Sequence, residues 1–219
     1  GANQDQQFQK FSLTGFDAKG KAFWKLEGDV ANIDPGQSVF LDKNVTLKFR
    51  DSTIVRTDHV SWSPNGQVMS TDALVTVDHE NVTARGTGAY GKPAENFIQL
   101  NRMIEMVINQ TTRLVCDGPL KIYYNDNKMV FYRNVVVTDA KGTLSANRMD
   151  VLFDPQERKV QRIIAVGNVI IQRDADRTQS QRAIYNVADS SIRLEGNPQI
   201  TLHKSTAGML NGITSGARS

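Results

Sequence analysis

Apolar residues recur at every second position in short runs along most of the chain, and each run ends at a cluster of turn-forming residues. Phe23-Trp24-Lys25-Leu26-Glu27-Gly28-Asp29-Val30 alternates in this way, as do Val45-Thr46-Leu47-Lys48-Phe49 and Ile122-Tyr123-Tyr124. Val135-Val136-Val137, Val169-Ile170-Ile171 and Ile192-Arg193-Leu194 follow. Successive side chains of a strand project to opposite faces, so period two is the pattern of a strand with one face on a core. The punctuation suits hairpins: Asp17-Ala18-Lys19-Gly20, Ser63-Pro64-Asn65-Gly66, Asn125-Asp126-Asn127, Asp139-Ala140-Lys141-Gly142 and Asp154-Pro155-Gln156-Glu157. These runs predict an all-β chain.

One segment fits two periods. Phe97, Leu100, Ile104 and Ile108 are spaced for a helix, whereas Ile98, Leu100, Ile104, Met106 and Ile108 share a strand face interrupted at Arg102. With strands on both sides, the strand is the expectation. Residues 204–219, rich in Gly, Ser, Thr and Ala, read as a disordered tail.

A loose repeat runs through the pattern. Asp29-Val30, Asn44-Val45, Asn81-Val82, Asn134-Val135 and Asn168-Val169 each open an apolar run, and Gly167-Asn168 returns as Gly196-Asn197-Pro198. The spacing suggests a stacked unit of about 30 residues that buries its face only against its neighbours. A Gly-Asn step lets the chain take positive φ and bulge at a corner.

Composition narrows the classes. The 219 residues are 39% hydrophobic and 22% charged, enough for a substantial core. No run approaches the ~18 apolar residues of a membrane helix. Gly1-Ala2-Asn3 has neither the basic start nor the apolar stretch of a signal peptide, so a native chain that is exported or anchored is expected to have had that segment trimmed. The net charge of +3 comes from 26 basic and 23 acidic residues spread along the chain, which argues against a nucleic-acid partner. A lone cysteine, Cys116, excludes an internal disulfide and a cysteine-rich metal site.

Candidate chemistry is thin. Gly86-Thr87-Gly88-Ala89-Tyr90-Gly91 has dinucleotide-binding spacing, but Lys92-Pro93 follows it where a helix should open. His59, His79 and His203 are scattered without ligand spacing, and no serine elbow accompanies Asp58-His59 or Asp78-His79. No catalytic residue, metal or cofactor is assigned. Trp24 is expected to share a face with Leu26 and, across Gly28, with Val30, filling a core or lining a cavity. Lys48, Arg50, Lys121 and Arg173 would meet solvent or phosphate groups.

The run Gly15-Phe16-Asp17-Ala18-Lys19-Gly20-Lys21-Ala22-Phe23-Trp24-Lys25-Leu26-Glu27-Gly28-Asp29-Val30-Ala31 resembles the opening of the LptC family of lipopolysaccharide export. Asn44 to Phe49, Gly86 to Tyr90 and Met103 to Ile108 resemble the rest of that domain. Ser145-Ala146-Asn147-Arg148-Met149 and Gly167-Asn168-Val169 through Gly196-Asn197-Pro198 resemble the LptA/OstA family. The resemblance implies an LptC-like module over 8–110 and an LptA/OstA-like module over 111–203.

It further implies a periplasmic antiparallel β-jellyroll, an open V-shaped roll of stacked strands forming one roll or two consecutive ones. Its apolar inner face would bind acyl chains of lipopolysaccharide or a related glycolipid. That face would carry Trp24, Leu26, Val30, Val45, Leu47, Phe49, Ile122, Tyr124, Val135, Val137, Ile164, Val166, Val169 and Ile171. Edge strands bearing Phe8, Phe11 and Leu13 at one end, and Ile192, Leu194, Ile200 and Leu202 at the other, would join further Lpt-type jellyrolls or a second copy. An inner-membrane ABC-transporter complex would drive the flow. The alternative is a structural or adhesive β-solenoid or sandwich with a filled interior.

Overall fold

The computed structural model describes residues 6–202 apart from 64, 66 and 158; the tail expected over 204–219, and His203, lie outside the described residues. The alternating runs form fifteen strands in a single antiparallel sheet. These are β1 (Gln6–Phe16), β2 (Ala22–Ile33), β3 (Val39–Phe49), β4 (Ile54–Ser63), β5 (Val68–His79), β6 (Val82–Lys92), β7 (Phe97–Ile108) and β8 (Thr112–Cys116). The remainder are β9 (Leu120–Tyr123), β10 (Lys128–Asp139), β11 (Gly142–Phe153), β12 (Val160–Arg173), β13 (Asp176–Asn186), β14 (Ser191–Glu195) and β15 (Gln199–Thr201). Each strand pairs with the next in sequence, except that β8 and β9 both sit between β7 and β10, and β14 and β15 both pair with β13. The ambiguous 97–108 segment is strand β7, and the GTGAYG run lies inside β6.

The sheet is creased across its middle, and the crease explains how one sheet becomes a roll. Nearly every long strand breaks register once, between Glu27 and Val30 on β2, Asp42 and Val45 on β3, Tyr132 and Val135 on β10, and Val166 and Val169 on β12. Inward-facing residues step by four across the crease on some strands: Leu41 to Val45, Leu100 to Ile104, Phe131 to Val135, Ala165 to Val169. On the intervening strands they step by three, as from Ala146 to Met149 and Ser180 to Ala183. One extra residue on alternate strands is a bulge, which bends the strand and leaves a residue unpaired. Lys43/Asn44, Arg133/Asn134 and Gly167/Asn168 occupy these bulges with both residues at positive φ. Asn tolerates that conformation better than most residues, so three of the five recurrent Asn/Asp-Val pairs are crease bulges.

Side chains fasten the crease. Asn44 Nδ2 donates to Asp29 Oδ2 at 2.6 Å, and Asn134 Nδ2 donates to Asp117 Oδ2 at 2.6 Å. Where β8 gives way to β9, Asp117 and Gly118 donate backbone N–H groups to the carbonyls of Arg133 and Tyr132. Gly196/Asn197 repeats the positive-φ pair between β14 and β15.

The crease divides the sheet into two walls. Wall I contains 22–27, 45–49, 54–57, 74–79, 82–87, 104–108, 112–116, 135–139, 142–146 and 169–173. Wall II contains 30–33, 39–42, 68–71, 89–92, 97–100, 120–123, 128–132, 148–153 and 160–166. Their inner faces meet in one cluster running from Val75 to Ala183 and a second around Leu26, Ala31, Leu41 and Val45. The larger cluster crosses the β7–β8 turn without interruption.

Outside, wall I carries charge in rows. Lys25 and Lys48 flank Glu27, Arg56 meets Asp78, and Arg85 and Arg113 both bind Glu105. Hydrogen bonds from Arg113 and Arg85 hold the Glu105 carboxyl below the usual carboxylate range. Opposite charges on neighbouring strands of a solvent-facing sheet stabilise the pairing modestly.

Candidate functional site

The two walls do not touch everywhere. Toward β2–β6 they part around a cleft of about 330 Å³. Leu26, Val45, Leu47, Val55 and Val75 line it from wall I, and Met69, Ala89 and Ile98 from wall II. Phe49 closes one side by stacking on Tyr124, with ring centroids 6.1 Å apart, while Phe23 meets Phe49 edge-on. Polar groups gather on the rim: Arg50, Asp51, Asn96 and Asn125. Arg50 lies over the Phe23 ring and its Nη1 donates to Asp17 Oδ2 at 2.9 Å. The Asp17 carboxyl is held low by backbone N–H donation from Lys21, reinforced by Arg50.

A second cleft, of about 300 Å³, opens toward β10–β14. Val137, Leu144 and Ile171 face Ile163, Ala165, Ala183, Tyr185 and Ile192 across it, and Asp139, Lys141 and Arg173 stand on its rim. Each cleft lies at the lower end of the size range for small-molecule pockets and is lined mostly by apolar side chains, with Thr57, Ser70 and Thr71 among those of the first and Thr112 and Thr143 among those of the second.

Most of the residues expected on the inner face are there. Leu26, Val45, Leu47, Phe49 and Tyr124 line the first cleft; Val137 and Ile171 line the second. Ile122, Val135 and Val169 are buried in the core between. Trp24 packs with Phe11 and Leu13 on the smaller cluster, its indole lying where a Cβ on Gly15 would be 2.1 Å away. Trp62 packs on the same cluster.

Three placements are corrected. Val30 faces outward beside Asp42 and His59, because β2 crosses the crease in a three-residue step and the strict alternation from Leu26 fails there. Ile164 pairs with Asp150 and Ile184 on the outer face of wall II, and Val166 is 38% exposed on that face. Ile163-Ile164-Ala165-Val166 is apolar on both faces, so alternation carries no information about which residues point in. Ile163 and Val55 are further cleft residues that alternation alone does not single out. Both were legible only from their cross-strand partners, Val151 and Leu47.

Other candidates resolve into structural roles. His59 Nε2 is 2.6 Å from Asp72 Oδ1, and His79 Nδ1 is 2.9 Å from the Thr53 hydroxyl. Lys48 binds Glu27 on the outer face and Lys121 lies over Tyr132, whereas Arg50 and Arg173 stand at the cleft mouths. Burial pushes the Cys116 thiol up to about 11. Within the GTGAYG run, Gly88 takes positive φ at the crease, and a Cβ on Gly86 would press within 2.8 Å of Ile104. Those glycines serve close strand packing.

Of the edge residues, Phe11 and Leu13 pack on the smaller cluster and Leu194 on the larger. Phe8, Ile192, Ile200 and Leu202 are 44%, 39%, 63% and 44% exposed. Nothing pairs with the outer side of β1, β14 or β15 among the described residues. An unpaired edge offers a row of backbone donors and acceptors to another strand.

Two family models match the chain. A lipopolysaccharide-assembly, LptC-related model covers residues 1–108, and an LptA/(LptD N-terminal domain) LPS transport protein model covers residues 119–213. The chain is LptC/LptA-like. These models describe proteins of lipopolysaccharide assembly and transport. Among solved structures, the LptC/LptA-like chain aligns with LptH, the LptA-homologous periplasmic component of the lipopolysaccharide transport device of Pseudomonas aeruginosa. The alignment is 4% identical, covers 56% of this chain and 94% of that one, and has a TM-score of 0.47. A comparison with curated proteins found no match. In the LptC/LptA-like chain, no helix among the described residues is long and apolar enough to cross a membrane.

Proposed function

We propose that this chain is a periplasmic, non-enzymatic carrier that holds acyl chains of lipopolysaccharide, or of a related glycolipid, between its walls. It hands the lipid on through strand contacts at its two edges. The observation that carries this reading is the parting of the walls around clefts lined mostly by apolar side chains, whose charged groups stand at the mouth. An amphiphile fits that arrangement with its tail inside and its head in water. Burying about ten methylene groups would gain roughly 8 kcal/mol before the cost of immobilising the chain, so no bond need be made or broken. A purely structural or adhesive solenoid has no use for unfilled apolar space at both ends of its interior.

Handoff would use β1 on one side and β14–β15 on the other, adding a neighbour's strand to the sheet. The partners on this reading are other jellyroll chains of the transport system, with an inner-membrane ABC-transporter complex supplying direction.

A photo-crosslinker placed at Leu47, inside the first cleft, should capture lipopolysaccharide in cells. The same group at Thr46, the neighbouring residue on the outer face, should not. Equal labelling at both positions would sink the carrier reading.

A further inference from the structure

The interior is not one trough. Between the two clefts the walls close on each other through Ile104, Leu114 and Val135 from wall I and Leu100, Leu120 and Phe131 from wall II. None of these six lines either cleft, and none is more than 3% exposed. Phe131 is the largest of the fully buried side chains and sits at the crease on β10, next to the Arg133/Asn134 bulge. Protein interiors packed in this way have no room for a chain of methylenes without displacing side chains.

Resting on the carrier reading above, we propose that the chain has two separate acyl-chain sites, one on each side of this apolar plug, that fill independently. The first takes a tail against Leu47, Val55 and Val75, and its mouth sets one cation, Arg50, against one carboxylate, Asp51, beside the amides of Asn96 and Asn125. The second takes a tail against Ile163, Ile171 and Ala183, and its mouth has two cations, Lys141 and Arg173, against one carboxylate, Asp139. The occupant in both cases is the apolar tail of an anionic amphiphile, and the second site is the more favourable for the anionic head. Lipid passing from one end of the chain to the other would therefore move in two steps. It either parts the plug or leaves one mouth and enters the other.

Dodecyl phosphate, titrated below its micellar concentration, tests this on the intact chain. Native mass spectrometry should show two bound molecules at saturation, and calorimetry should show the second site weakening as salt is raised. Leu47→Trp should remove one molecule and Ile171→Trp the other. Each substitution should leave the remaining site's affinity within about twofold, as uncoupled sites require. A diazirine-bearing analogue on the unmodified chain gives a readout free of folding effects. Labelled peptides should fall into two groups, around Leu47 and Val55 and around Ile163 and Ile171, with none at Phe131. Saturation at a single molecule that labels both groups would mean one continuous groove, overturning the two-site proposal while leaving the carrier reading standing. No binding at any concentration would overturn the carrier reading and the two-site proposal with it.

Discussion

At the residue scale, backbone geometry and buried charge make separable predictions. Gly142, which opens β11, and Gly20, in the β1–β2 turn, both occupy positive φ, but their surroundings differ. A Cβ on Gly142 would lie 2.0 Å from the carbonyl oxygen of Gln172, whereas a Cβ on Gly20 meets nothing within 4 Å. Gly20→Ala should cost about 1 kcal/mol, from the left-handed conformation alone. Gly142→Ala adds a clash with backbone that cannot rotate away, and should cost more than about 3 kcal/mol, read by urea denaturation. Asp150 is 8% exposed. Burial pushes its carboxyl up, but hydrogen bonds from Arg148 and Lys128 pull it down further, leaving it below the usual carboxylate range. A carboxyl lower in the folded than in the unfolded chain contributes stability above the unfolded value, near ~4, and loses it as pH falls through the folded value. Stability measured from pH 6 down to about 2 should therefore drop less steeply in Asp150→Asn than in the parent, from a lower starting point. Cys116, with its thiol pushed up to about 11, should resist alkylation at neutral pH until the protein is unfolded.

At the element scale, the crease decides both what could be read and what could not. Leu26, Leu47, Val137 and Ile171 were legible because each lies within one wall, where alternation holds. Val30 was not, because a three-residue step inverts the parity at a point the sequence marks only with Gly28-Asp29. The Asn-Val recurrence was visible, yet Asn81 belongs to the β5–β6 turn and Asp29 is the acceptor for Asn44. Only the register told these apart from the true bulges. The clefts were not legible at all, since an inward-facing valine reads the same whether it meets another side chain or empty space. The crease also predicts sensitivity to length. Deleting Asn168 would take the bulge residue out of the four-residue step on β12, so that Val169 and Ile171 would have to slip one place against β11 and β13. That variant should fail to fold, judged by loss of cooperative unfolding, because a one-residue slip inverts every side chain beyond it. Asn168→Gly should keep the step and cost less than about 1 kcal/mol, since glycine takes positive φ freely.

At the scale of the whole molecule, the two family matches end at residue 108 and begin again at residue 119, yet the sheet and the larger core pass through that interval unbroken. On this architecture, cutting the chain at the β7–β8 turn should give halves that do not unfold cooperatively on their own. Leu100 and Leu120, both fully buried, would lose each other as neighbours. The free edges carry the complementary prediction. Ile200→Lys with Leu202→Lys changes two exposed side chains and should alter stability by less than about 1 kcal/mol. It should weaken association with a neighbouring jellyroll chain at least ~10-fold in sedimentation, because charge on an edge strand discourages further pairing.

The alternation of three- and four-residue steps has a consequence for reach. Because each pair of strands bends by the same device, adding a pair lengthens the molecule without altering its cross-section. Thirteen strand positions follow one another along the sheet, a span of roughly 55 to 60 Å at ~4.8 Å per strand. The chain is thus a ruler graduated in strand pairs. Inserting or excising one pair near the β11–β12 hairpin would move its far end by about 10 Å, while the cross-section elsewhere stayed the same.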